Sequence, residues 1–198
     1  MKKLFYAAFA MTTFIACNSN KKSGDITIKG KDGEEVTINT NAIVNAANEM
    51  KNRNEELQKL TPLSMDELKA MLPEGIMGAK RERVEATKMA GLASFAKAEY
   101  NMNDSTNIEL TFFDCAGSAG AGYYNMAFFG LMNFEQDNER EYTKTTEFKG
   151  DKAIEHCQKD RSRCEFTYFG GDRYLVTLKG DNVGIHQLKQ VAGGLKIK

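Results

Sequence analysis

Residues 141–179 read EYTKTTEFKGDKAIEHCQKDRSRCEFTYFGGDRYLVTLK, and they decide the fold class. Polar and apolar residues alternate there with a period of two, the mark of half-buried strands, over 141–149, 152–158, 163–170 and 173–179. Lys149-Gly150-Asp151 and Gly170-Gly171-Asp172 carry turn chemistry between them. Joints this short return each strand antiparallel to its neighbour, because a parallel pair needs a crossover of a dozen or more residues.

The same pattern extends upstream over 80–90, 94–102 and 107–115, with Asn103-Asp104-Ser105 as a further joint. Helices are expected over about 120–133 and about 184–193. The second places Ile185, Leu188, Val191 and Ala192 on one face before Gly193-Gly194. Before all of this, Ile26-Thr27-Ile28 and Val36-Thr37-Ile38 flank Lys31-Asp32-Gly33, where Asp-Gly suits a tight hairpin turn. From Asn41 the period changes: Ile43, Ala46, Ala47, Met50, Leu57 and Leu60 share a helical face over 42–60, until Thr61-Pro62 ends it. Ser64 and Glu67 have capping-box spacing and open a short helix to Leu72, stopped by Pro73 and Gly75. The expected class is α+β: an antiparallel sheet with the 120–133 and 184–193 helices packed on one face, preceded by an N-terminal hairpin and helices. Residues 25–198 then form a single domain, with 25–78 as its hairpin-and-helix part and 79–198 as its sheet-rich part.

Composition bounds the function without naming it. The chain has 198 residues, 27 Lys+Arg against 27 Asp+Glu, two His, no Trp and 41% hydrophobic residues, an ordinary globular balance. Bulk charge argues against nucleic acid as a partner. Disorder, a collagen-like repeat and a polytopic membrane protein are excluded by the same figures.

The N-terminus carries an address. Met1-Lys2-Lys3 is a short basic region, and Leu4 to Ile15 is an uncharged, mostly apolar run too short to span a bilayer, so residues 1–16 read as a secretory signal. Phe14-Ile15-Ala16-Cys17 resembles the lipobox of bacterial lipoproteins, with Phe14 where the family usually has Leu. The resemblance implies cleavage after Ala16 and modification of Cys17 with fatty acyl chains such as palmitate. Residues 17–24 then form a lipidated start and polar tether, Asn18-Ser19-Asn20-Lys21-Lys22-Ser23-Gly24. Cleavage removes Lys2 and Lys3 and leaves 25 basic against 27 acidic residues. Two or more acyl chains hold a protein stably at a bilayer, where one does so only marginally. In the enterobacterial pattern Asp after the Cys retains a lipoprotein at the inner membrane; Asn18 stands there, which implies the outer membrane of a Gram-negative cell envelope.

Several constellations have both a chemical and a plainer reading. Gly117-Ser118-Ala119-Gly120-Ala121-Gly122 lies between an expected strand and an expected helix, where backbone amides can hold an anion or ligand. Its spacing fits neither a Walker loop nor GxGxxG, so a small-residue turn that lets backbones pack is favoured. Tyr123, Tyr124, Met126, Phe128, Phe129, Leu131, Met132 and Phe134 make the following helix apolar nearly all round. Core packing is the first reading, and a groove for an apolar ligand or partner the second. With Cys17 taken by lipid, Cys115, Cys157 and Cys164 remain. A hairpin turning on Asp160-Arg161 puts Cys157 opposite Cys164 as a candidate disulfide, though as a hydrogen-bonded pair with the wider Cα spacing. His156 then points away from Cys157, so the two cannot share a metal ion, and no metal is expected. Cys115 reads as a small buried hydrophobe. His186 reads as a surface or cap-proximal residue, and Lys80-Arg81-Glu82-Arg83 as a solvated strand edge.

No catalytic motif and no cofactor motif appears, so none of either is expected. The expected function is a non-enzymatic, lipid-anchored envelope module that binds an envelope protein or a small apolar ligand. The alternative is an envelope hydrolase or transferase using the 117–122 loop with Asp114.

Overall fold

The computed structural model describes residues 25–29, 35–88, 94–130, 134–160 and 162–197. The signal segment, Cys17, the tether to residue 24 and the Lys31-Asp32-Gly33 turn lie outside the described residues. Two compact units divide the chain, Met1–Ala47 and Asn48–Lys198. In the first, β1 (Asp25–Lys29) pairs antiparallel with β2 (Glu35–Asn39), Thr27 facing Thr37. The division falls inside α1 (Thr40–Lys59).

In the second unit α2 (Met65–Met71) begins with the expected capping box: Ser64 Oγ accepts from the Glu67 amide, and Glu67 Oε2 accepts from the Ser64 amide at 2.8 Å. The strands follow as β3 (Gly75–Ile76), β4 (Ala79–Lys88), β5 (Ser94–Asn103) and β6 (Thr106–Asp114). Then come α3 (Gly117–Gly130), β7 (Glu135–Asp137), β8 (Glu141–Phe148), β9 (Asp151–Gln158), β10 (Arg163–Gly170), β11 (Tyr174–Asp181) and α4 (Ile185–Gly194). Among the described residues nine strands form one antiparallel sheet, ordered β3-β4-β5-β6-β11-β10-β9-β8-β7. Two meanders therefore meet at a β6/β11 seam, and α3 carries the chain from the end of β6 to the far edge. By residue content the unit is mostly sheet.

β3 and β7 are absent from the sequence reading, since two and three residues carry no usable period. β3 is made by a turn at Met77 (φ 51°) and Gly78 (φ 85°) that brings Ile76 against Ala79. Lys149 (φ 53°) and Gly150 (φ 88°) make the equivalent two-residue turn between β8 and β9, as their sequence indicates.

The helices do not share a face, which corrects the expected one-sided arrangement. Tyr100, Leu110, Phe112, Val176, Leu178, Phe166 and Tyr168 form a core with Leu68 and Leu72 of the α2 segment and Leu188 and Ala192 of α4. On the opposite face Phe169 and Leu175 pack with Leu57 of α1 and Ala121 and Tyr124 of α3. Phe113 stacks on Tyr123 of α3 with ring centroids 3.8 Å apart. The cause is local sequence. Phe112-Phe113, Tyr168-Phe169 and Tyr174-Leu175-Val176 put apolar side chains on both faces at one end of the sheet, and each face needs its own cover. Away from that end the second face is polar: Lys97, Thr111, Thr177 and Thr167 follow one another across β5, β6, β11 and β10.

Leu57 and Leu188 are each fully buried on opposite faces. Leu57→Ala and Leu188→Ala should each lower unfolding stability by about 2–5 kcal/mol. Urea titration of the two variants checks this; a near-neutral Leu57→Ala would mean the second face carries no core.

Candidate functional site

Asp114, at the end of β6, is the residue on which the enzymatic alternative rests. Its side chain is fully buried, and both oxygens are engaged. Arg173 grips it twice, Nε to Oδ1 at 2.8 Å and Nη2 to Oδ2 at 3.0 Å. The Leu63 amide donates to Oδ2 at 2.8 Å and the Ala116 amide to Oδ1 at 3.1 Å. Arg173 Nη2 also donates to the Thr61 carbonyl at 2.7 Å. The carboxylate beside the guanidinium holds the Arg173 pKa above its ordinary value. A carboxylate so saturated is a clamp rather than a general base.

The glycine-rich segment is shaped by packing. A Cβ on Gly120 would lie 2.4 Å from the Cys115 carbonyl carbon and 2.8 Å from the Asp114 carbonyl oxygen. Only glycine lets α3 approach the end of β6 so closely. Gly117 has φ +75°, with Pro62 Cγ 3.0 Å from where a Cβ would stand, whereas Gly122 faces open space. Ser118 is exposed on the first turn of α3. The Ala121 carbonyl accepts from Asn54 Nδ2 of α1 at 2.9 Å. Along α3, Tyr124 is buried against Phe169 and Tyr123 is partly exposed. The side chains of Met126, Phe128 and Phe129, and residues Leu131 and Met132, lie outside the described residues.

Cys157 and Cys164 face each other on β9 and β10, and their sulfurs are bonded. Their Cα atoms are 4.1 Å apart, the close spacing of a non-hydrogen-bonded pair rather than the wider spacing that a two-residue turn implies. The loop is longer than that turn: Asp160 Oδ1 accepts from the Ser162 amide at 2.9 Å, and the Ser162 carbonyl accepts from the Asn182 amide at 2.8 Å. Cys115 is free, and burial pushes its thiol up to about 12. His156 lies on the face opposite Cys157, with Nδ1 2.8 Å from Thr143 Oγ1. His186 sits in the first turn of α4, exposed. A second buried carboxylate, Glu155, pairs with Lys189 of α4 and with Lys144 at 3.6 Å. Among the described residues no group of three or more His, Cys, Asp or Glu is placed to hold a metal ion, and no helix is long and apolar enough to cross a membrane.

A cleft of about 690 Å³ opens between α2 and the segment that follows α4, within the size range of small-molecule sites. Leu63, Met71, Leu72 and Pro73 of the α2 segment, Tyr174 at the start of β11 and Leu195 after α4 line it. Exposed Glu67, Glu74 and Lys196 add the charges of its lining. Tyr174 meets Phe112 edge-on at 6.3 Å, and burial raises its phenol, which stays protonated at neutral pH. The lining includes no His, Cys, Ser or Thr. Sequence reading missed this site because it is made by segments distant in sequence, residues 63–74, Tyr174 and 194–196. The available signal was Leu195-Lys196-Ile197, an apolar alternation continuing past the Gly193-Gly194 helix stop.

Asp114→Asn should cost about 3–5 kcal/mol in urea unfolding, because it leaves Arg173 without its counter-charge. Gly120→Ala should destabilise by about 1–3 kcal/mol while Gly122→Ala is neutral or stabilising; equal effects would deny the close approach at Gly120. Leaving Cys17 aside, alkylation at pH 8 should find no thiol in native protein, one after denaturation and three after reduction as well. Three thiols before reduction would remove the Cys157–Cys164 bridge. No protein-family model, curated protein or solved structure matches this chain.

Proposed function

We propose that the chain is a lipid-anchored protein of the bacterial cell envelope, exported by residues 1–16, attached through Cys17 to the outer membrane, and working by non-enzymatic binding. Its folded unit takes a partner or small apolar ligand. The observation that carries the binding reading is the cleft between α2 and the segment after α4, apolar along Leu63, Met71, Leu72 and Leu195. Apolar surface left open at this scale gains free energy, roughly 25 cal/mol per Å², when a ligand removes it from water. The anchor rests on Ala16-Cys17 and the run before it. A stable hold at the bilayer, followed by the polar tether, would present the cleft near the membrane surface.

Two measurements test the two halves. Intact-mass analysis of membrane-fraction protein should find a mature N-terminus at acylated Cys17, and Cys17→Ser should release the protein; unchanged membrane association would end the anchor proposal. The Cys17→Ser chain should also take up N-phenyl-1-naphthylamine saturably. Ala70→Phe, at an exposed α2 residue lining the cleft, should weaken uptake about tenfold at unchanged melting temperature, a loss of about 1.4 kcal/mol. Uptake that is unsaturable, or indifferent to Ala70→Phe, would overturn the ligand-binding reading.

A further inference from the structure

We propose that the outward side of α3 is a docking surface by which the folded unit lies on a lipid bilayer, an assignment that extends the anchored reading above and is tested apart from it. From Cys115 to Phe134 no residue carries a charge. A helix on a protein surface normally turns charged residues to water. The inner side of α3 is committed to the core, with Ala121 and Tyr124 buried against Leu57, Phe169 and Leu175. Its outer side is open where it is described. Ser118 is exposed, Gly122 faces open space, and Tyr123 stacks on Phe113 yet is 38% exposed. Phe134, at the end of the uncharged run, is 46% exposed.

The occupant follows from what surrounds this surface. The chain leading from Cys17 reaches the folded unit beside α3, since α1 packs Leu57 with Ala121 and Tyr124 and donates from Asn54 Nδ2 to the Ala121 carbonyl at 2.9 Å. Phe134 belongs to the same face of the sheet. Its amide donates to Thr145 Oγ1 at 2.9 Å, and Thr145 stands in line with Ile154 and Thr167 across β9 and β10. Charges gather beside α3, not on it: Arg53 pairs with Asp172 and Asp151, and Glu49 is near enough to act on the Tyr124 phenol. An uncharged strip with exposed aromatics and a charged rim suits the boundary between headgroups and acyl chains. At 14 residues α3 is about 21 Å long, too short to span a bilayer, so it lies in the plane of the interface. An uncharged surface has no preference for anionic lipid. It holds less firmly than one acyl chain, itself a marginal anchor, so it orients an anchored molecule and does not replace the anchor.

Residues 17–198 with Cys17→Ser lack both the signal segment and the lipid, and they test the surface by itself. The chain has no Trp, so Tyr123→Trp introduces a single reporter. With phosphatidylcholine vesicles its emission should shift to the blue and be quenched by brominated lipid, half-saturating at about 1 mM lipid. Phosphatidylglycerol or about 0.5 M salt should change this little. Gly122→Glu should weaken binding about threefold or more at unchanged melting temperature, whereas Ala70→Glu, the same charge on exposed α2, should leave it as it was. Vesicle flotation of the chain that keeps Tyr123 should give the same order. Emission and flotation unmoved by lipid, binding that requires phosphatidylglycerol, or equal loss in both glutamate variants would overturn the docking surface while leaving the anchor, which acylation of Cys17 decides. Vesicle binding by α3 alongside an unacylated Cys17 in cells would overturn the anchor and support the docking surface.

Discussion

A carboxylate taken out of water and met by four donors joins parts of this chain that are distant in sequence. Asp114 ends β6, Arg173 begins the return into β11, the Leu63 amide belongs to the loop between α1 and α2, and the Ala116 amide leads into α3. An isolated buried carboxylate would cost several kcal/mol, so the fold is viable only with all these groups in place. The pair sits at one end of the β6/β11 seam, where Tyr174 faces Asp114, and so marks the register in which the two meanders meet. A slip of one residue would turn Phe112 and Val176 away from their core and withdraw Arg173 from its partner.

Most strands were legible because their alternation is clean. β10 reads buried and half-buried in turn through Cys164, Phe166 and Tyr168, and its turns carry Gly or Asp where the backbone needs them. The two-sided cover was written in the same strands. Adjacent aromatic pairs such as Phe112-Phe113 cannot both face one layer, yet periodicity counted strand by strand passes over them. Arg53 shows what is lost in such a count. It reads as one polar residue of a helix, but it lies over the Phe169 ring at 5.2 Å and pairs with Asp172 and Asp151 at the tips of two hairpins. Nothing in residues 50–56 signals those partners, because they come from chain a hundred residues away.

The candidate site was less legible than the fold, for a related reason. Asp114 and the glycine-rich segment stood out by residue type, and their geometry gives them to packing. The cleft is built from Leu, Met, Pro and Tyr, which announce nothing individually. What makes it a cleft is that two helices stop short. Leu72 caps α2 in an extended conformation (ψ 123°) and Leu195 does the same for α4 (ψ 128°).

The seam has a consequence for how the molecule is made. β6 acquires its central neighbour only when residues 174–181 arrive, after α3 and the other strands of the second meander. Until then the first meander ends in a bare strand whose amides and carbonyls invite pairing with any passing chain. The middle of the sheet is thus the last part to close, and synthesis of nearly the whole polypeptide precedes a finished core. For a chain proposed to be exported, such late closure is a useful property, because no stretch that ends before β11 holds a complete sheet that would resist passage.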